Sequence, residues 1–451
     1  MKLLGHFDRA EPDILVGWVV DLDAPGRRIG LSFHVGAETL GHGVAATFRD
    51  DLLAAGMGDG HCFFVFEPPR LLTPHELAAV TVRLDGYPFL FTAASRQLVA
   101  RALPRPEGTG RWRCILHIGT EKTGTTSVQA FLALNRAGLA ERGYFVPTSL
   151  ACGADPAVLN SDLIAAYART DDALHRLRGE GPEIAGFRAR VAAALAAELA
   201  AAPSACHTII LSAEHCHSQL QGGFEVEGVR QLLAPFCSDI RVLVYLRPQD
   251  EMALSAYGMM VKEGRADVVA LPSFAETAAP QRAMGWGYFD YAALLARWAA
   301  EFGQAAIMPR RFTRTALVGG DVIDDLLATL GVSGDGLVRP ARWNTNIEAS
   351  AQRLLAGVNR VLVGRSEADV ARVRSWMVPR LAPGGGVLPA RAAVLAFMAQ
   401  FKDVNEAVRA AWFPGLATLF AEDLGHYPET EAAAAPPEMC ELLVRMILAD
   451  P

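Results

Sequence analysis

The sequence predicts an α/β protein, in which a parallel β-sheet flanked by helices follows a small all-β, sandwich-like domain. Its 451 residues are enough for two or three domains of ordinary size. Residues 1–100 contain short alternating apolar runs separated by turn signals, a pattern typical of antiparallel strands. From residue 113 onwards, continuous apolar runs of strand length alternate with stretches of helical period. That alternation indicates a parallel sheet covered by helices on both faces.

The expected domain order is a β-rich accessory domain over residues 1–100, a linker over 101–112 and an α/β domain over 113–451. The linker is predicted from its proline and glycine content. From about residue 345 the pattern becomes mostly helical. Strands of the first domain are predicted at Leu15–Val20, Ile29–Val35, His61–Phe66, Ala79–Leu84 and Tyr87–Phe91.

The α/β domain is expected to begin with a strand and to alternate strands with helices. Helical periodicity covers residues 125–141, 186–202, 251–263, 290–302 and 321–330. Strands are predicted at Cys114–Ile118, Thr208–Leu211, Ile240–Leu246 and Ala305–Met308.

Composition excludes several classes of protein. Apolar residues make up 51% of the chain and charged residues 20%, which excludes a disordered protein. The net charge of −7 argues against a non-specific nucleic-acid binder. Seven scattered cysteines without a CxxC pair suit a reducing compartment. The start of the chain does not resemble a signal peptide, and the alanine-rich run at 191–202 is too short to span a bilayer. We therefore expect a soluble, cytoplasmic protein.

A glycine-bounded loop between the first predicted strand and helix of the α/β domain indicates an anion site. The segment reads Gly119-Thr-Glu-Lys-Thr-Gly-Thr-Thr-Ser127. Backbone N–H groups at a helix start, the helix dipole and a loop lysine all attract phosphate. The Walker A pattern would end in Gly-Lys-Ser/Thr, but here Lys122 lies two residues before Gly124. The sequence therefore predicts a P-loop-like sheet with a phosphate loop of another kind.

A second phosphate-binding pair follows the predicted strand Ile240–Leu246. Arg247 lies at the strand end and Ser255 lies eight residues later in the following helix. Such an arginine and serine can converge on one phosphate, which the arginine would bind bidentately.

The run Lys122-Thr123-Gly124-Thr125-Thr126 resembles the 5′-phosphosulfate loop of the sulfotransferases, and its surroundings look like bacterial members of that family. The resemblance extends over about 113–430. It departs at Arg342–Asn346, where many relatives have a basic nucleotide-contacting loop. It implies the sulfotransferase fold, 3′-phosphoadenosine 5′-phosphosulfate (PAPS) as donor and no required metal. The residues that it implies for nucleotide binding are Gly119, Thr120, Lys122, Thr123, Gly124, Thr125, Thr126, Arg247 and Ser255.

Transfer of a sulfuryl group to an alcohol needs a base for the acceptor hydroxyl and a positive group at the leaving phosphate. Lys122 suits the second role. Glu214 and His215 follow the predicted strand Thr208–Leu211, and chemistry in open α/β sheets collects at the carboxyl ends of strands. Glu214 is the first candidate for the base and His215 the second, while His117 is interpreted as a packed strand-end residue. A metal site on His215 and His217 is disfavoured because further ligands are not evident.

The leading hypothesis is a PAPS-dependent sulfotransferase that acts on a hydroxyl or amine of a glycan or glycoconjugate. The carbohydrate part depends on the first 100 residues, which resemble a small β-domain attached to bacterial glycan-processing enzymes. That resemblance is carried by Val16–Asp21, Phe48–Leu52 and Gly58–Phe64. The β-domain is interpreted either as a structural or oligomerising module or as a glycan-binding one. The alternatives for the whole chain are an ATP-using kinase of the P-loop class and a catalytically inactive nucleotide- or glycan-binding protein.

Overall fold

The structure is a computed structural model. It leaves undescribed residues 101–109 of the predicted linker, residues 342–345 of the departing segment and the start of the predicted strand Tyr87–Phe91. The residues that it describes are 3–22, 24–35, 38–85, 89–92, 98–100, 110–152, 157–168, 184–220, 222–272, 286–341, 346–420 and 424–449.

The first hundred residues form two antiparallel sheets, with strand orders β1-β2-β6-β5 and β4-β3-β7-β8-β9. Two short helices, α1 (Asp50–Ala54) and α2 (Pro74–Ala78), connect strands. All five strands expected here are confirmed, and their bounds differ from the expected ones by at most two residues. The sequence did not predict four others: β1, β4, β5 and β9. The strands are β1 (Leu3–Glu11), β2 (Ile14–Asp21), β3 (Ile29–Val35), β4 (Glu38–Ala45), β5 (Thr47–Phe48), β6 (His61–Phe66), β7 (Val80–Leu84), β8 (Phe89–Thr92) and β9 (Leu98–Ala100).

An aromatic core joins these two sheets. Phe7 and Phe64 come from one sheet, and Phe33 and Phe91 come from the other. All four rings are buried, and Phe7 meets both Phe64 and Phe91 edge to face at 6.0 Å between ring centroids. The missed strand β1 alternates less clearly because polar and charged residues occupy several of its half-buried positions.

The predicted parallel sheet is confirmed, with five strands in the order β11-β12-β10-β13-β14. The two-residue strand β11 was not predicted because it is too short to carry a periodic signal. All four described pairings are parallel. The strands are β10 (Trp112–His117), β11 (Tyr144–Phe145), β12 (Thr208–Ser212), β13 (Cys237–Leu246) and β14 (Ile307–Arg311).

Helices cover both faces of this sheet. The helix expected over 125–141 is divided at Asn135, whose amide bonds to the Phe131 carbonyl at 2.8 Å and whose side-chain oxygen accepts from the Val338 N–H at 2.7 Å. The helices are α3 (Thr125–Leu134), α4 (Arg136–Ala140), α5 (Leu163–Ala168), α6 (Ile184–Ala201), α7 (His215–Ser218), α8 (Gly223–Leu233), α9 (Gln249–Lys262), α10 (Trp286–Phe289), α11 (Tyr291–Phe302), α12 (Val322–Leu330), α13 (Ala349–Val361), α14 (Glu367–Met377), α15 (Arg391–Ala399), α16 (Lys402–Trp412) and α17 (Pro437–Ala449).

Strand β13 explains why the apolar runs are continuous rather than alternating. Val242 and Val244 pack into the cluster on one face of the sheet, whereas Leu243 and Tyr245 pack under α3 and α12 on the other. A strand buried on both faces gains free energy from every apolar side chain. Because the strands are parallel, their carboxyl ends lie along one edge of the sheet, together with the residues that follow them.

Contacts cross between the first hundred residues and the parallel-sheet region. Arg83 of β7 pairs with Glu227 of α8, and the Glu227 side chain is only 7% exposed. The Asp85 carboxyl group accepts from the Gly223 N–H at the start of α8. No described helix has both the length and the apolar character that a bilayer span requires.

Candidate active site

The loop between β10 and α3 continues the sheet before it turns into the helix. The Thr120 N–H donates to the Tyr245 carbonyl at 2.9 Å, and the Tyr245 N–H donates to the Gly119 carbonyl at 2.6 Å. Gly119 and Gly124 have φ of 92° and 75°, and Lys122 has φ of 63°. A lysine in left-handed backbone costs free energy and persists only where its surroundings impose it. The loop is therefore anchored to β13 and tightly shaped around Lys122.

The threonines of this loop divide into two groups. Thr120 and Thr123 are fully buried. Their hydroxyls donate to the carbonyls of Tyr245 at 3.0 Å and Thr120 at 2.5 Å. These hydroxyls hold the loop together, so any contact with a phosphate would come from the backbone N–H groups. Thr125 and Thr126 form the first two positions of α3, where N–H groups point out of the helix start.

Lys122 lies close to both residues of the second predicted pair, Arg247 and Ser255. A cavity of about 350 Å³ is lined by both Lys122 and Ser255. The Arg247 guanidinium donates to the Lys122 carbonyl at 2.8 Å and also bonds to Glu251 at 3.1 Å. It lies 5.7 Å from the ring centroid of Phe312. Lys122 and Ser255, far apart in the sequence, thus line one cavity, and Arg247 is bonded to the loop beside it.

Burial changes the chemistry of the loop lysine. It lowers the pKa of Lys122, against the opposing attraction of Glu121 and Glu214. The Lys122 ammonium lies 3.1 Å from the sulfur of Met259, which is a weak acceptor. Packing therefore holds the Lys122 ammonium in position, and an anion would be a much stronger hydrogen-bond acceptor for it than this sulfur.

Four further residues line this cavity that the sequence analysis did not assign to the site: Met259, Lys262, Glu263 and Asn346. Lys262 ends α9, and Asn346 follows the undescribed residues 342–345. A signal for Lys262 did exist, because the chain has only four lysines and Lys262 is one of two that reach this cavity. Asn346 carried no distinguishing signal.

Glu214 and His215 follow β12, on the other side of the loop. A Cβ placed on Gly119 would lie 3.7 Å from the Cβ of Glu214, so this glutamate packs directly against the loop between β10 and α3. Burial, reinforced by the negative charges of Asp162 and Glu121, raises the pKa of Glu214 to about 7. A carboxylate with this pKa can both accept and release a proton near neutral pH.

His215 has the opposite electrostatic character because of a buried partner. Its Nδ1 lies 2.9 Å from the Asp162 carboxylate, whose side chain is 2% exposed while that of His215 is 42% exposed. The hydrogen bond that the His215 ring donates to the Asp162 carboxylate raises the pKa of His215 to about 9. At neutral pH, His215 is therefore a cation and cannot accept a proton. Asp162 is a site residue that sequence reasoning missed.

The two other histidines of this region are buried and neutral. Burial lowers the pKa of both His117 and His217 to about 4. His117 Nδ1 pairs with the Ser212 hydroxyl at 2.9 Å, as a packed strand-end residue would. His217 Nε2 lies 3.0 Å from the Tyr288 carbonyl, and its Nδ1 lies 3.4 Å from the Glu121 N–H. Within the described ranges, no group of three or more His, Cys, Asp or Glu is placed to hold a metal ion.

The sequence matches no protein-family model and no curated protein. Among solved structures, a sulfotransferase from Alicyclobacillus acidocaldarius is similar to 58% of this chain and 94% of its own, with 17% sequence identity and a TM-score of 0.32. A likeness of this size does not establish a family. The function of the chain must therefore come from its own residues.

Proposed function

We propose that this chain is a sulfotransferase that uses PAPS to sulfate a hydroxyl or amine, on a glycan or glycoconjugate. The observation that supports this most is that Lys122 and Ser255 line one cavity, while Arg247 donates to the Lys122 carbonyl and Glu214 packs against the same loop. Positive and hydroxyl groups on one side, and a titratable carboxylate on the other, suit transfer of an anionic group to a weakly acidic acceptor.

In this proposal the donor supplies a sulfuryl group, whose bond to the 5′-phosphate oxygen breaks as a bond to the acceptor oxygen or nitrogen forms. Glu214 takes the proton that the acceptor loses. Lys122 donates to the phosphate oxygen on which negative charge develops. Arg247 and Ser255 bind the 3′-phosphate, and the N–H groups at the start of α3 hold the 5′-phosphate.

The 3′-phosphate distinguishes this proposal from an ATP-using kinase, because ATP lacks that group. Arg247 and Ser255 would each give it a charge-assisted hydrogen bond, worth about 1.5–3 kcal/mol. We therefore expect 3′,5′-adenosine bisphosphate to bind at least about a hundredfold more tightly than 5′-AMP, in EDTA. Isothermal titration calorimetry measures both affinities without knowledge of the acceptor.

Arg247→Ala provides the matched variant for this measurement. It should remove most of the preference for the bisphosphate and change the affinity for 5′-AMP little. Arg113→Ala, which removes a more exposed guanidinium at the opposite end of the sheet, serves as the control. Equal affinities in the wild-type protein, or binding that requires Mg²⁺ and prefers ATP, would favour the kinase instead.

A further inference from the structure

A second cavity, of about 500 Å³, lies between the first hundred residues and the parallel-sheet region. It shares no lining residue with the cavity at Lys122. Its walls carry charged side chains from both sides. The charged and imidazole side chains are Arg27, Arg28, His42 and Asp85 from the first hundred residues, and Glu225 and Arg297 from α8 and α11.

The two carboxylates of this cavity are directed at the start of α8. Asp85 accepts from the Gly223 N–H, and Glu225 accepts from the Gly222 N–H at 2.9 Å. The positive end of the helix dipole therefore offsets part of their charge. Burial raises the pKa of Asp85 to about 7, so near neutral pH its carboxyl group can also donate to a ligand oxygen.

Three guanidinium groups line the cavity beside these two carboxylates. Arg297 is buried at 8% exposure, whereas Arg27 and Arg28 are exposed at the rim. Arg28 is fixed there by Asp59, at 3.1 and 2.6 Å. Guanidinium forks match the geometry of carboxylate and sulfate groups. Because Arg28 is already paired with Asp59, Arg27 and Arg297 are the groups that would bind one acidic group of a ligand.

The rest of the lining favours hydroxyl groups. Burial lowers the pKa of His42 to about 4, so its ring is neutral and offers one donor and one acceptor nitrogen. Asp85 and Glu225 add carboxylate acceptors close to the arginines. The volume lies within the range of small-molecule sites, which often form between domains.

From these walls we propose that the interdomain cavity binds a small polyhydroxylated acid, such as a uronic acid, either free or as the terminal unit of a saccharide chain. The acidic group lies against the arginines, and the hydroxyl groups face His42 and the carboxyl groups of Asp85 and Glu225. This site is separate from the nucleotide site and does not depend on the proposed transferase activity.

Calorimetry with the full chain tests this site, using D-glucuronate, an oligouronide, D-glucose and acetate as probes. We expect a uronate to bind at least about tenfold more tightly than glucose or acetate, since each of these lacks one half of the recognised chemistry. Binding of free glucuronate indicates a small-molecule ligand, and binding of the oligouronide alone indicates the end of a chain. Glucose or acetate binding as tightly as both uronates, or no binding of any uronate, would overturn the proposal.

Three variants locate the binding. Arg27→Ala removes a rim guanidinium and should weaken uronate binding at least about tenfold. Val44→Phe adds bulk at an exposed lining position and should abolish it without removing a charge. Arg9→Ala removes an exposed guanidinium of the same domain and should have no effect. Unchanged binding in the first two variants, an equal loss in the third, or competition by 3′,5′-adenosine bisphosphate would each exclude this cavity as the site.

Discussion

The pH dependence of turnover separates the two candidate bases, because adjacent residues have opposite electrostatic character. Glu214 has a pKa of about 7 and His215 a pKa of about 9. A base must be unprotonated to work. If Glu214 is the base, about a tenth of the molecules are competent at pH 6 and about nine-tenths at pH 8. Turnover should therefore rise roughly tenfold over that interval and level off before pH 9.

Glu214→Gln keeps the size of the side chain and removes its basicity. Turnover should fall by about 10²–10⁴, and the rise centred near pH 7 should disappear. The assay follows release of 3′,5′-adenosine bisphosphate from PAPS with a panel of sugars and phenols. Nucleotide affinity, measured by calorimetry over the same pH range, controls for titration of the phosphates.

Two results would refute this reasoning. A rise in turnover centred near pH 9, lost in His215→Gln, would make His215 the base. A rise near pH 7 that persists in Glu214→Gln would assign that titration to another group.

The remaining predictions concern the phosphate loop, the buried acid and the domain order. Lys122→Ala should reduce turnover by about 10²-fold or more with the fold intact. Lys122→Arg should restore activity only in part, because a planar fork cannot replace a compact ammonium. Circular dichroism checks the fold and turnover checks the activity of both variants, and full activity in either would exclude Lys122 as the group that stabilises the leaving phosphate. In Asp162→Asn, the pKa of His215 measured by NMR should fall from about 9 towards its ordinary 6.5. The pair of His215 and Asp162 contributes its full stabilisation of the fold below pH 6.5 and loses this contribution as the pH rises through 9. Asp162→Asn should therefore lose more stability at pH 6 than at pH 10. An equal loss at both pH values would argue against the pair. A chain that starts at residue 108 should still bind 3′,5′-adenosine bisphosphate, with a lower melting temperature because the Arg83 contact is lost; insoluble or nucleotide-blind material would show that both regions fold as one unit.

The strong periodic segments of the fold could be predicted from the sequence. Val242 to Leu246 are apolar without interruption because both faces of β13 are covered, and this pattern indicates a central parallel strand. Short or polar strands could not be predicted in this way. Tyr144 and Phe145 form β11 only because they lie beside β12, and β1 depends on its pairing with β2.

The loop between β10 and α3 could be predicted because its residues are contiguous. The chain order of Lys122, Gly124 and Thr125 itself specifies a loop that leads into a helix. Arg247 and Ser255 lie within one strand–helix unit, so their spacing was also visible. Lys262 and Asn346 reach the cavity at Lys122 from separate elements, and no local pattern records that convergence.

The choice between the two candidate bases cannot be made from the local sequence alone. Glu214 and His215 are neighbours in one short turn, and by ordinary pKa values the histidine is the better base near neutral pH. Asp162, more than fifty residues earlier in the chain, reverses this order: its buried carboxylate lies 2.9 Å from Nδ1 of His215 and keeps the ring protonated. The same negative charge, added to the burial of Glu214, raises the pKa of that glutamate towards neutrality. The buried Asp162 thus makes His215 the poorer base and Glu214 the better one near neutral pH. It acts through a tertiary contact that residue spacing alone does not reveal.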